Sequence, residues 1–205
     1  MKDRRAFGKI AADISILYEL SLAIGHSLDL KANCDRFLKT LMARKNLGYV
    51  SVWIKPEHLA GMEGFDIGGG VNQAVLVYAN PMFRVKETRL SLHHPLFRSL
   101  EGRDVFSVAS TERRFQDFVT EKSINKGAFA IFAMGTLGVL KLYSMTRETA
   151  FDEWEMNQLR HVVSKFTVSI QACLSHQKVM AEVEARKQAE ALARESEDKY
   201  RTILE

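Results

Sequence analysis

His93 and His94 stand immediately before Pro95, and of all the side chains in this 205-residue chain they could most directly hold a metal or a haem iron. Neither cysteines nor carboxylates accompany them at ligand spacing, so surface or pocket-lining histidines are the plainer reading. Gly68-Gly69-Gly70 could cradle a phosphate. A phosphate loop, however, delivers its glycines into a helix N-terminus with Lys and Ser or Thr behind them. Here Val71-Asn72-Gln73 leads into an extended run, so the glycines are read as a flexible loop between strands. Cys34 and Cys173 fall on predicted helices and read as buried thiols of an intracellular protein. The sequence holds no Gly-x-Ser-x-Gly, no His-Glu-x-x-His and no calcium loop, and Ser91 near His93 is too common a pairing to argue acyl chemistry. The chain is read as non-catalytic.

The aromatic residues suggest binding instead. Trp53, Tyr78, Phe97, Phe106, Phe129 and Phe132, with Ser51, His93 and His94, are the candidates to line an apolar pocket for a small ligand. The competing reading is that the same aromatics pack on one another as core.

These residues must be positioned by regular elements. Ile10, Ile14, Leu17, Ile24 and Leu28, with Ser21 as the polar member, form a heptad-like stripe on a first helix. Ala32 to Lys45 is a second amphipathic helix, and Gly48 is its expected C′ residue. Tyr49 to Ile54 and Gln73 to Tyr78 are rich in β-branched and aromatic residues and predict an antiparallel strand pair with a long connection. In the first of these, Val50, Val52 and Ile54 are expected to face helices, and Ser51 and Trp53 the pocket. Arg89 to Leu92 is a short strand or a helix entrance, Pro95 to Leu100 a short helix, Val105 to Val108 a strand, and Thr111 to Glu121 another short helix. Phe129 to Phe132 and Gly138 to Ser144 form a hairpin turning near Gly135; in its second strand Leu140 and Leu142 face one way, Lys141 and Tyr143 the other. The order predicts an α+β fold, one antiparallel sheet with helices on both faces.

From Asp152 to Glu205 there is neither proline nor glycine, and the pattern is helical throughout. Such a helix would run about 80 Å at 1.5 Å per residue, far beyond a small domain. Its stripe of Leu159, Val163, Phe166, Ile170, Cys173 and Met180, with Gln177 as the polar member, continues the heptad pattern. Together with Ile10, Ile14 and Leu17 it is the expected seam of a homodimeric helix bundle. Past Val183 the phase shifts to Ala185, Ala189, Leu192 and Ser196, a weaker seam whose alternative registers lie closer in energy.

Four segments together resemble a GAF domain over about residues 10 to 175. They are Leu20-Ser21-Leu22-Ala23-Ile24 with Ser27-Leu28-Asp29-Leu30, then Leu47 to Ile54, then Gly135 to Ser144, and then Phe151-Asp152-Glu153-Trp154-Glu155 with Leu159. Arg194 to Glu205 is similar to the helix that opens PAS domains of sensor kinases and cyclic-dinucleotide enzymes. The resemblance implies a regulatory sensor, dimeric through its terminal helices and passing its signal to a PAS-like neighbour and a kinase or cyclase output. Residues 1–29 would be the bundle helix, 30–175 the sensor domain and 176–205 the signalling helix. A bilin-holding GAF domain needs a pocket cysteine, and residues 80 to 130 contain none. The Asn-Lys-Phe-Asp-Glu signature of cyclic-nucleotide GAF domains is missing as well, and a GAF-type methionine sulfoxide reductase would also need pocket cysteines. The ligand stays unnamed, and a ligand-free dimerisation module with a self-filled pocket is the alternative.

The formal charge of +4 is small and scattered among acids, which argues against nucleic acid as a partner. Met1-Lys2-Asp3-Arg4-Arg5 is followed by no apolar signal core, and no apolar run approaches the ~20 residues of a membrane span. The expected location is cytoplasmic.

Overall fold

The computed structural model describes residues 14–62 and 72–204. Ile10 and Gly68 to Gly70 lie outside the described residues. Helix α1 (14–22) leads through a turn to α2 (Leu30–Lys45). Then follow β1 (Tyr49–Ile54), β2 (Gln73–Asn80), β3 (Arg89–Ser91), the short α3 (Pro95–Arg98), β4 (Val105–Ala109), a 3-10 helix (Arg113–Phe118), β5 (Ala128–Ala133), β6 (Gly138–Ser144) and α4 (Glu153–Leu204). Thr111 to Glu121, expected as an α-helix, is the tighter 3-10 form with extended chain after it.

The six strands form one antiparallel sheet in the order β3-β2-β1-β6-β5-β4. β1 and β6, in the middle, are buried along their whole length, as strands covered on both faces must be. Gly138 is required where it stands: a Cβ there would lie 1.9 Å from the Trp53 carbonyl oxygen.

Strand alternation sorts the core into two layers. Val50, Val52, Ile54, Ala130, Phe132, Leu140 and Leu142 face the helices, packing with Leu20 of α1, Phe37, Leu38 and Leu41 of α2, and Leu159, Val163 and Phe166 of α4. Phe37 stacks on Phe166 with ring centroids 4.3 Å apart. Tyr49, Trp53, Phe129, Ile131, Val139 and Tyr143 face the other way, beneath Leu96 of α3 and Phe115 and Phe118 of the 3-10 helix.

α2 begins with the Asp29 carboxylate accepting from the Ala32 amide at 2.6 Å. It ends on Asn46 in the left-handed conformation, at φ +50°. Asn46 thus takes the cap expected of Gly48, because its short amide side chain tolerates that region. Gly48 lies beside the Tyr143 ring, 3.7 Å from where its Cβ would be, an ordinary contact distance. Buried Asn33 ties the helices together: its amide donates to Ser169 Oγ at 2.7 Å and accepts from Gly25 N at 3.1 Å.

The first part of α4 belongs to this core. Leu159, Val163, Phe166, Ile170 and Cys173 are each at most 2% exposed within their own chain. The dimer seam expected from them is therefore corrected, since a heptad-spaced stripe serves a sheet as well as a partner helix. Leu17 packs against the same core, while Ile14 and Met180 are exposed. Beyond Leu174 no side chain described on α4 is buried.

Candidate functional site

The sheet face opposite the long helices is where the pocket is expected, and the structure separates its nine candidates. Ser51, Trp53, Phe106 and Phe129 lie on or against that face. Trp53 Nε1 donates to Ser51 Oγ at 3.1 Å, so the indole is held flat along its own strand. Phe97 is half-buried at the margin, in a cleft of about 250 Å³ shared with Lys55, Leu92, Leu100 and Val139. Tyr78 and Phe132 belong to the helical face instead. Parity explains Phe132: positions 129 and 132 of one strand are an odd number apart and point oppositely. The Tyr78 hydroxyl reaches α2, donating to Asp35 Oδ1 at 2.9 Å.

The histidines divide too. His93 is exposed. His94 is half-buried and caps α3, its Nδ1 accepting from the Leu96 amide at 3.1 Å. Burial, first, and then the Lys141 ammonium hold its pKa below the ordinary value. Among the described residues, no group of three or more His, Cys, Asp and Glu converges to hold a metal. Cys34 and Cys173 lie on the helical face with the sheet between them and the aromatic layer, and burial pushes both thiols upward.

The aromatic layer is filled by its own side chains. Phe115 stacks on Phe129 at 4.9 Å, Phe129 meets Tyr143 at 5.3 Å and Phe106 meets Phe118 at 5.1 Å. Trp53, Phe115, Phe129, Ile131 and Leu96 are closed to solvent. The larger concavity, about 600 Å³, lies elsewhere, where α4 leaves the domain, among Leu28, Met62, His176, Met180, Ala181 and Gln188.

At the centre of the aromatic layer is a charge that the sequence reading left unassigned. Lys141, on central strand β6 between Ser51 and Ile131 of its neighbours, is completely buried. Its ammonium donates to the Phe118 carbonyl at 2.5 Å, to Thr120 Oγ1 at 3.0 Å and to the Glu121 carboxylate at 2.9 and 2.8 Å. It also sits 4.2 Å from the Phe129 ring centroid. Glu121, equally enclosed, accepts in addition from the Thr120 amide at 3.1 Å and from Thr120 Oγ1 at 3.0 Å. Burial pulls the Lys141 pKa down, and Glu121 beside it partly restores it. All three ammonium protons thus have acceptors, the condition under which a buried charge survives. The signal in the sequence was Lys141 itself, on the same face as Tyr143 in an otherwise apolar strand; nothing there pointed to Glu121.

No family model matches the sequence, and no curated protein does. Solved structures do. Free methionine-R-sulfoxide reductase from Neisseria meningitidis, in complex with its substrate, matches with a TM-score of 0.63 at 14% identity, over 82% of this chain and 93% of that one. The GAF domain of a phosphoenolpyruvate-protein phosphotransferase from Coxiella burnetii matches at 0.61 and 11% identity, over 84% and 98%. A segment of a methyl-accepting chemotaxis protein matches at 0.53 and 12% identity, over 78% and 98%. The chain has the GAF fold. The matched structures thus include GAF domains, a chemotaxis-protein segment and a reductase. Among the described residues, no helix is long and apolar enough to cross a membrane.

Proposed function

We propose that this chain is a non-catalytic regulatory module of the GAF type that works as a homodimer in the cytoplasm. Its far half of α4 pairs with that of a second copy and passes a bias between packings to a PAS-like domain and a kinase or cyclase output. The observation that carries this reading is the division of α4. Up to Leu174 the helix is fastened to the sheet; beyond it Val179, Met180, Val183 and Leu192 are exposed on a helix continuing for about 45 Å at 1.5 Å per residue. A lone helix draws most of its stability from packing an apolar stripe, and among the described residues no side chain of this stretch is buried. The 600 Å³ groove at its root offers a bed of Leu28, Met62, Met180 and Ala181 for a partner helix. The closed aromatic layer favours the self-filled reading of the pocket over a standing cavity.

Sedimentation of the whole chain at tens of micromolar is expected to give a dimer, and removal of residues 176–205 a monomer. A whole chain that stays monomeric at high micromolar concentration overturns the reading.

A further inference from the structure

The buried cluster around Lys141 is more than is needed to close a core. Apolar side chains at positions 141 and 121 together would pack in this layer without desolvating two charges, and such replacements of a whole buried pair are commonly neutral or stabilising. What the cluster provides is a receptor for one carboxylate group. Three donors converge on the two Glu121 oxygens: Lys141 Nζ at 2.9 and 2.8 Å, the Thr120 amide at 3.1 Å and Thr120 Oγ1 at 3.0 Å. The hydroxyl proton is free to donate because Lys141 itself supplies a proton to Thr120 Oγ1. The Phe118 carbonyl takes the third ammonium proton and fixes the direction in which Lys141 points.

The group filling this receptor belongs to the chain's own cover. Glu121 follows the 3-10 helix on the stretch between β4 and β5. The bonds that attach that stretch include the Val85–Glu121 bridge, Lys122 N to Arg84 O at 2.8 Å and, at its two ends, Ser110 N to Gly127 O and Gly127 N to Ser110 Oγ, and Phe115, Phe118 and Ile124 are buried beneath it. Ser123 lies within it at φ +60°. One donor, Lys141, is fixed by a central strand, whereas Thr120 and the acceptor Glu121 ride together on an irregular connection.

We propose that Lys141 and Thr120 form a binding site for a small carboxylate ligand, which Glu121 occupies from within as an internal substitute. The site deepens the regulatory reading, because exchange of Glu121 for a free carboxylate would release Glu121 and the chain that follows it up to Lys126, while Thr120 stays on Lys141. The chemical class is a monocarboxylate whose remaining atoms are apolar, since Phe118, Phe129 and Tyr143 surround the receptor.

The test empties the site and offers it acetate. Glu121→Ala is melted in sodium acetate and in sodium chloride of equal ionic strength, beside the wild type, Glu121→Gln and the double variant Glu121→Ala/Lys141→Met. Glu121→Ala is expected to gain, saturably, about 3 °C or more in acetate over chloride at ten times the dissociation constant. The wild type and Glu121→Gln, whose sites are filled, and the double variant, which lacks the ammonium, are expected to show no such gain. If Glu121→Ala does not fold in chloride, the yield of folded protein on refolding in acetate against chloride is the measure. Equal behaviour of Glu121→Ala in the two salts overturns the proposal, and so does an equal acetate gain in the double variant. The sedimentation result is independent of either outcome, so loss of this site leaves the dimer reading standing, and the reverse.

Discussion

The two faces of the one sheet are built on opposite principles. Toward α2 and α4 the layer is mainly aliphatic, with Val50, Val52, Leu140 and Leu142 meeting Leu38, Leu41, Leu159 and Val163, and with Phe37 stacked on Phe166. Two regular helices satisfy their own backbones, so this face asks of its neighbours mainly volume and shape, with polar ties such as Asn33 to Ser169 and Tyr78 to Asp35. Toward α3 and the 3-10 helix the layer is aromatic around a buried ion pair. Irregular chain covers it, and irregular chain brings carbonyls and amides that need partners; Lys141 and Glu121 supply them to Phe118 and Thr120. A face made of interchangeable parts transmits rigidity, whereas a face made of mutually dependent polar groups has one tight arrangement and loses much when a member leaves.

That contrast can be broken first at Lys141. Lys141→Met preserves length and bulk but strands a buried carboxylate, and is expected to cost about 3–5 kcal/mol in denaturant melts. Lys141→Met with Glu121→Leu should recover most of this loss; a double variant as unstable as the single one would mean that the pair contributes through shape and not through charge. On the helical face a comparable change, Phe166→Leu, exchanges one apolar side chain for another against Phe37, and about 1–1.5 kcal/mol is expected in the same melts. A cost matching that of Lys141→Met would abolish the distinction between the faces.

The smallest effect concerns pH. His94 on the aromatic side has a folded-state pKa below its unfolded value of about 6.5, because burial disfavours its charged form. The unfolded chain therefore binds the proton first, so the stabilisation is complete above pH ~6.5 and is lost as the pH falls through the folded value. Melting temperatures between pH 7.5 and 5.5 should fall less in His94→Gln than in the wild type; an unchanged slope would remove His94 from the acid response.

Much of the helical face was legible in advance. The parity of Val50, Val52 and Ile54 against Ser51 and Trp53, and of Leu140 and Leu142 against Lys141 and Tyr143, is a property of extended chain and survived intact. The same rule, applied to Phe129 and Phe132, would have placed them on opposite faces. Tyr78 escaped it for another reason: β1 and β2 slip register between Val52 and Trp53, so counting along β2 does not carry across that irregularity. The heptad stripe of α4 was visible, but its partner was not. Leu159 to Cys173 present a stripe that fits a sheet or a second helix equally, and only the packing against Phe37 and Leu142 assigned it to the chain's own core.

The sequence by itself determined the α+β class, the strands and their inward faces, and the length of the last helix, because periodicity and the absence of proline and glycine act locally. Tertiary structure decided the point along α4 at which domain core gives way to exposed helix. It decided that the aromatics fill their layer, and that Lys141 meets Glu121 across 20 residues of chain. A buried charge is tolerated only where distant donors and acceptors converge on it, and that convergence exists only once the sheet and its cover have come together.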